Sequence, residues 1–161
     1  MTDATNRDWL TKDEAEAFIG KNSSFYLEKW KLHSESTLKG WNWAALFFSI
    51  EWMAYRKMYA EAILSFMLVL TISFGISAIF IFGIGADFSF TLGRIVGDIS
   101  RLSAGIFGNY LYRKKAIRVL KSVIHENDTE RLNYLKRKGG VNAVGVIFCI
   151  TFEIAYALIL I

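Results

Sequence analysis

The chain has 161 residues, 53% of them hydrophobic and 16% aromatic, and a formal net charge of +4. That is too apolar for an ordinary soluble domain of this length and too short for a multi-helix transporter acting alone, so one compact membrane unit is expected. Proline is absent and Cys149 is the single cysteine, which excludes proline kinks, an intramolecular disulfide and any cysteine-cluster metal site.

Residues 1–40 are polar and mixed in charge, which predicts a cytosolic helical segment and no cleavable signal peptide. The first membrane helix is then its own insertion signal. Thr11-Lys-Asp-Glu14 fits a capping box that opens a short helix through about Ile19. Gly20-Lys-Asn22 reads as its stop and a turn. Ser23 or Ser24 can cap a second helix over roughly 24–35, whose apolar positions only partly follow helical spacing.

Residues 41–161 form the membrane domain, and 41–59 open it as an aromatic, amphipathic helix. Trp41, Trp43, Phe47, Phe48, Trp52, Tyr55 and Tyr59 fit an interfacial belt, because indole and phenol rings are apolar bodies with a polar handle. A ligand or partner groove is the alternative for this row. As a helix up to Tyr55 the segment spans only about 22 Å at roughly 1.5 Å per residue. The hydrocarbon core is about 30 Å thick. A helix in the interface, or a shallow re-entrant one, is therefore expected. Glu51 on it would be cheap at the interface and costly in the middle.

From Ala62 to Ala86 the chain carries no charged residue, so a first span is expected over 61–85. A second hydrophobic segment, 91–112, is Gly-rich and carries Arg94, Asp98 and Arg101; a third, 141–161, is apolar except for Glu153. The reading is an all-α integral membrane protein with three transmembrane helices, an interfacial aromatic helix and short cytosolic N-terminal helices. Between the last two spans, the basic segment 113–138 predicts a continued helix to about Ile124. A break follows at His-Glu-Asn-Asp, then a short helix to about Lys138 capped by Asp128 or Thr129. Basic residues stay cytoplasmic. That rule puts the N-terminus inside, the turn at 86–91 outside and the C-terminus periplasmic or extracytoplasmic, in a bacterial inner membrane. Arg56, Lys57, Arg113, Lys114, Lys115 and Arg118 are then candidates for anionic lipid headgroups, each contributing about 1 kcal/mol. A juxtamembrane position already explains this charge, so no nucleic-acid partner is expected.

Gly93, Gly97, Arg101, Gly105 and Asn109 lie on one i, i+4 row of the second span, with Gly108 beside them, and Gly145 begins a similar row on the third. Small residues in such rows let another helix approach closely. Counted inward from Tyr112 and Val141, Arg101 and Glu153 fall at nearly the same depth. An isolated charge there costs about 2.5–3.5 kcal/mol, so an Arg101–Glu153 ion pair is expected, with Asp98 sharing Arg101 or holding Arg94. Such a pair can pin two helices together or serve transport; pinning is the preferred reading. The chain has no Ser-His-Asp set, paired histidine ligands, phosphate-binding loop or dinucleotide fingerprint. No catalytic residue, metal or cofactor is assigned, and an enzyme is not expected.

Phe18-Ile-Gly-Lys-Asn22, Phe25-Tyr26, Lys29-Trp30, Trp41-Asn-Trp-Ala-Ala45, Phe47-Phe48, Trp52 and Tyr55-Arg-Lys-Met-Tyr59 resemble the bacterial domain-of-unknown-function family 2628. Gly105-Ile-Phe-Gly-Asn109 with Tyr110 and Tyr112 resembles that family's second block. The resemblance covers roughly 18–125 and implies a small inner-membrane protein, with no activity attached. Where the family has Gly-Pro after the paired aromatics, this chain has Ser49-Ile50-Glu51, which favours a continuous interfacial helix. A His that often follows the Tyr block is replaced by Arg113-Lys114-Lys115. The expected role is an accessory or interaction protein that binds a membrane partner or a second copy of itself. An ion or small-solute permeation component using Arg94, Asp98, Arg101 and Glu153 is the alternative. An immunity-type membrane protein is a further one, on size and topology alone.

Overall fold

The computed structural model describes residues 10–30, 41–84 and 89–159. Among these residues the chain is all helical, with seven helices: α1 (Lys12–Ile19), α2 (Ser23–Trp30), α3 (Trp43–Tyr55), α4 (Tyr59–Ile84), α5 (Ser89–Lys121), α6 (Asp128–Lys138) and α7 (Ala143–Ile159). The Thr11 capping box forms as expected. Glu14 N–H donates to Thr11 Oγ1, and Thr11 N–H donates to the Glu14 carboxylate at 2.9 Å. Gly20 follows in a left-handed conformation, φ +63°, and stops the helix. The part of the predicted second helix beyond residue 30 lies outside the described residues. For α6 the cap is Asn127, whose side chain accepts from Glu130 N–H at 2.9 Å, rather than Asp128 or Thr129.

Two corrections concern the membrane elements. Among the described residues two stretches, not three, are long and apolar enough to cross a membrane: Tyr59–Gly83, and Asp128–Ala155, whose apolar residues are those of α7. The 91–112 segment falls short because Arg94, Asp98 and Arg101 interrupt it. Hardly any of either apolar window is buried by the rest of the chain. A soluble core helix would be covered, so these two are left with an apolar surface in need of another medium.

The second correction concerns 41–59. It is not one continuous helix. α3 breaks inside at Ser49, which is non-helical (φ 17°, ψ −91°) and buried, although the chain has no Gly-Pro there. The helix then ends at Arg56 and Lys57. Lys57 adopts a left-handed conformation (φ 57°) that turns the chain into α4.

This bent helix is the centre of the molecule. α3 packs on α5, α7 and α4, and α5 packs on α4 as well. α1 and α2 pack on each other, α1 on α6, and α2 on α5. The buried core runs through Phe18, Tyr26, Trp30, Trp52, Met58 and Tyr112, with Leu120 and Leu135. All of these lie at the end of the α4–α5 pair that holds Arg56 and Lys115, away from the C-terminal end of α4.

Candidate functional site

The residues that first suggested function separate into two groups. One group closes into a hub at the basic end of the helices. Tyr112, fully buried, is its middle. Phe18, Tyr26, Trp30 and Trp52 surround it with ring centroids 5.1 to 6.2 Å away. Tilted and edge contacts of this kind add roughly 0.5–1.5 kcal/mol each beyond burial. These rings come from α1, α2, α3 and α5, so one residue ties four helices.

Arg56 is the charged member of the hub. It is 2% exposed, and its guanidinium lies over Tyr26 at 4.6 Å and Tyr112 at 5.4 Å. Its Nη1 donates to the carbonyls of Ile19 and Lys21, at 3.3 and 3.2 Å. A planar, weakly hydrated cation suits this place, because the ring faces and carbonyls replace water without a carboxylate. Arg56, expected at the headgroups, is therefore an internal clamp on the α1–α2 turn. Neighbouring Lys115 donates to the carbonyls of Arg56 and Lys57, at 3.2 and 2.7 Å. Burial holds its ammonium pKa down to about 8. Glu61 opposes that shift, and Lys57, Arg118 and Lys138 add to it. Lys57 in turn donates to the carbonyl of Arg137 at 3.1 Å, and Arg118 pairs with Glu61 at 3.3 Å. Lys114 is exposed and Arg113 is half-buried.

Asparagines and glycines fix how α3 meets α5. Asn42 N–H donates to the Gly105 carbonyl at 2.9 Å, and its side-chain amide donates to Asn109 Oδ1 at 2.8 Å. Asn42 Oδ1 caps α3 at Ala45 N–H, and Trp30 Nε1 donates to the Asn109 carbonyl at 3.1 Å. A Cβ on Gly105 would sit 3.1 Å from Leu46 Cβ, and one on Gly108 3.0 Å from Ala45 Cβ. Gly145 opens the same kind of seat on α7, 3.2 Å from the Ala54 carbonyl. These three glycines of the predicted packing rows are used by α3. Gly93 and Gly97 are not, since a Cβ at either would meet nothing within 4 Å.

The aromatic belt divides. Trp43, Phe47 and Phe48 are 60 to 65% exposed, and Trp41 and Tyr59 are exposed too. Trp43 stacks on Phe47 at 6.0 Å and meets Trp41 edge-on at 5.5 Å. Trp52 turns inward to the hub, and Tyr55 is half-buried. Tyr59 Oη accepts from Asn142 at 2.7 Å, which anchors the start of α7.

The second group is the charge cluster deeper along the helices. Arg101 pairs with Asp98 on its own helix at 3.1 Å, not with Glu153. The bent α3 packs on both α5 and α7, and Glu51 on it lies near Glu153. Glu51 is the residue that sequence reasoning set aside. Its cost in the middle of a membrane was the available signal. Arg94 lies on the same face of α5, beside the cleft between α4 and α5. Among the described residues no group of three or more His, Cys, Asp or Glu could hold a metal ion.

Phe18, Tyr26, Trp30, Asn42, Trp52, Arg56, Asn109 and Tyr112 all meet in the hub. No curated protein and no solved structure matches the chain. The family described as protein of unknown function DUF2628 matches residues 10–118, about two thirds of the chain, and the chain belongs to that family.

Proposed function

We propose that this chain is a small polytopic protein of a bacterial inner membrane that serves as an accessory or interaction subunit of a membrane assembly. The observation that carries the reading is the division of labour just described. Phe18, Tyr26, Trp30, Trp52, Arg56 and Tyr112 are spent on internal packing, whereas the apolar faces of α4 and α7 and the charged face of α5 stay uncovered. Lys115, far along α5, reaches the carbonyl of Lys57 just before α4 at 2.7 Å, so the two helices run antiparallel from one basic end. Lys57, Lys115, Arg118 and Lys138 gather at one end, which the positive-inside rule makes cytoplasmic. Exposed Lys114 and Arg118 are placed there for anionic headgroups. Purification in mild detergent tests the role. A larger complex is expected, and a lone monomer that retains nothing would sink the reading.

The nearness of Glu51 to Glu153 favours a second reading, in which the chain is part of a proton or ion path. Glu51→Gln and Glu153→Gln would then each abolish a measured flux in vesicles. Unchanged flux in both variants removes this reading.

A further inference from the structure

Between α4 and α7 runs a cleft of about 520 Å³ with apolar walls. Its floor is Ile50 and Ala54 of α3, which packs on both helices. Its rims are Ile63 on α4 and Phe148 on α7, 64% and 72% exposed. At one end Phe66 meets Phe152 edge-on across the gap, with ring centroids 5.7 Å apart. Glu153, beside Phe152 and near Glu51, marks where the apolar lining stops. At the other end Asn142 donates to Tyr59 Oη at 2.7 Å. From Asn142 to Phe152 is about 15 Å along the helix at roughly 1.5 Å per residue. That is half of a hydrocarbon core about 30 Å thick.

The Tyr59–Asn142 end opens on positive charge. Asn142 N–H donates to the Tyr55 carbonyl at 2.8 Å, which sets the 139–142 turn beside Lys57. The Lys57 ammonium donates to the Arg137 carbonyl at 3.1 Å. Exposed Arg137 and Lys138 lie over the Tyr134 ring. A carbonyl and a ring carry no net charge, so these contacts leave the three cations uncancelled. The carboxylate on this side, Glu61, is paired with Arg118.

We infer that this cleft holds one acyl chain of an anionic phospholipid from the leaflet at the basic end, with the phosphate at Lys57, Arg137 and Lys138. The inference rests on the membrane embedding in the proposed function and not on the accessory role. Three observations select a lipid. Phe66 and Phe152 touch across the gap, whereas a helix with its side chains is about 10–12 Å wide, so a partner helix does not enter. The slot is as long as one leaflet is deep. An apolar slot that opens on a basic cluster matches an amphiphile with an anionic head.

Native mass spectrometry of the full chain in mild detergent tests this, with phosphatidylglycerol or phosphatidylcholine of equal chain length as the probe. One phosphatidylglycerol per chain should be retained, and at least tenfold less phosphatidylcholine. Arg137→Gln with Lys138→Gln should lower phosphatidylglycerol binding about thirtyfold, a factor of about five for each basic residue near the headgroup. Lys12→Gln, at the far end of α1, should leave it unchanged. Ile63→Trp fills the cleft and should lower binding at least tenfold. Ile79→Trp, on the exposed outer part of α4, should not. Both are exposed positions, so thermal unfolding followed by circular dichroism should match wild type. Cys149 lines the cleft and is the single thiol, so its alkylation by N-ethylmaleimide should slow severalfold when phosphatidylglycerol is added. Equal retention of the two lipids overturns the inference. So does binding that Ile63→Trp leaves unmoved, or a Cys149 rate indifferent to phosphatidylglycerol. A lone monomer that still holds one phosphatidylglycerol overturns the accessory role and leaves the lipid site standing. Release of the chain from native membranes by alkaline carbonate overturns both.

Discussion

The basic-end hub and the outer half of the α4–α5 pair use the same residue types in opposite ways. In the hub, Gly105 and Gly108 are filled to 3.1 and 3.0 Å by α3, and Arg56 is sealed under tyrosine rings. In the outer half, Gly93 and Gly97 face open space, and Arg101 lies exposed against a carboxylate of its own helix. A glycine ridge in an apolar helix therefore does not say which helix will fill it. What decides is whether the chain itself supplies an element of the right reach. Here α3 is 13 residues long and bent, and its contacts stop at the hub half of α5.

Five substitutions bear on this contrast, each read by thermal unfolding in mild detergent with the buried Trp30 and Trp52 as reporters. Gly139→Ala should have the largest effect. Its Cβ would lie 1.9 Å from the Phe18 carbonyl oxygen, where backbone meets backbone. More than about 3 kcal/mol should be lost, because nothing at that contact can rotate away. An unchanged melting temperature would mean that α1 does not dock on the 139–140 turn. Arg56→Met comes next, at about 3 kcal/mol, from lost cation–ring attraction and two carbonyls left without their donor. Arg101→Met, the matching change in the outer half, should alter the stability of the single chain by under about 1 kcal/mol. Equal losses at both positions would erase the distinction between the two regions. Third, Gly108→Ala should cost about 1–2 kcal/mol, because Ala45 and Trp52 stand in the way. Gly97→Ala should be neutral or stabilising by about 0.5–1 kcal/mol through backbone entropy alone.

A further test is a pH dependence. The Lys115 pKa is about 8 in the folded chain against 10.5 for the free side chain, mainly through burial. Between those values the unfolded chain holds a proton that the folded chain has shed, so stability rises with pH across the window. Below about 8 both states are protonated and the burial cost is felt in full. The stability of wild type relative to Lys115→Met should therefore improve from pH 8 to 10.5. A difference that stays flat or falls would place Lys115 in water.

Much of the fold could be read residue by residue. The capping box at Thr11, the stop at Gly20 and the break before α6 are local signals, each settled within a few residues. So is the apolar run that becomes α4. The site was less legible. Arg56 reads as a headgroup contact because it stands beside Lys57 at a helix end; only the approach of Tyr26 and the Ile19 carbonyl shows it to be interior. Glu51 reads as an interfacial carboxylate because nothing nearby in sequence announces the bend at Ser49. Asn42 and Asn109 are 67 positions apart, and no periodicity links them.

Composition and local pattern by themselves determined that the chain is helical, that the stretches becoming α4 and α7 are long and apolar, and that one region is strongly basic. Those properties follow from side-chain transfer energies and from hydrogen bonds closed within a single helix. Tertiary structure alone decided which glycines are occupied and which arginine is buried. Each of these depends on where a bent helix stops, and that is set by packing between residues far apart in the chain.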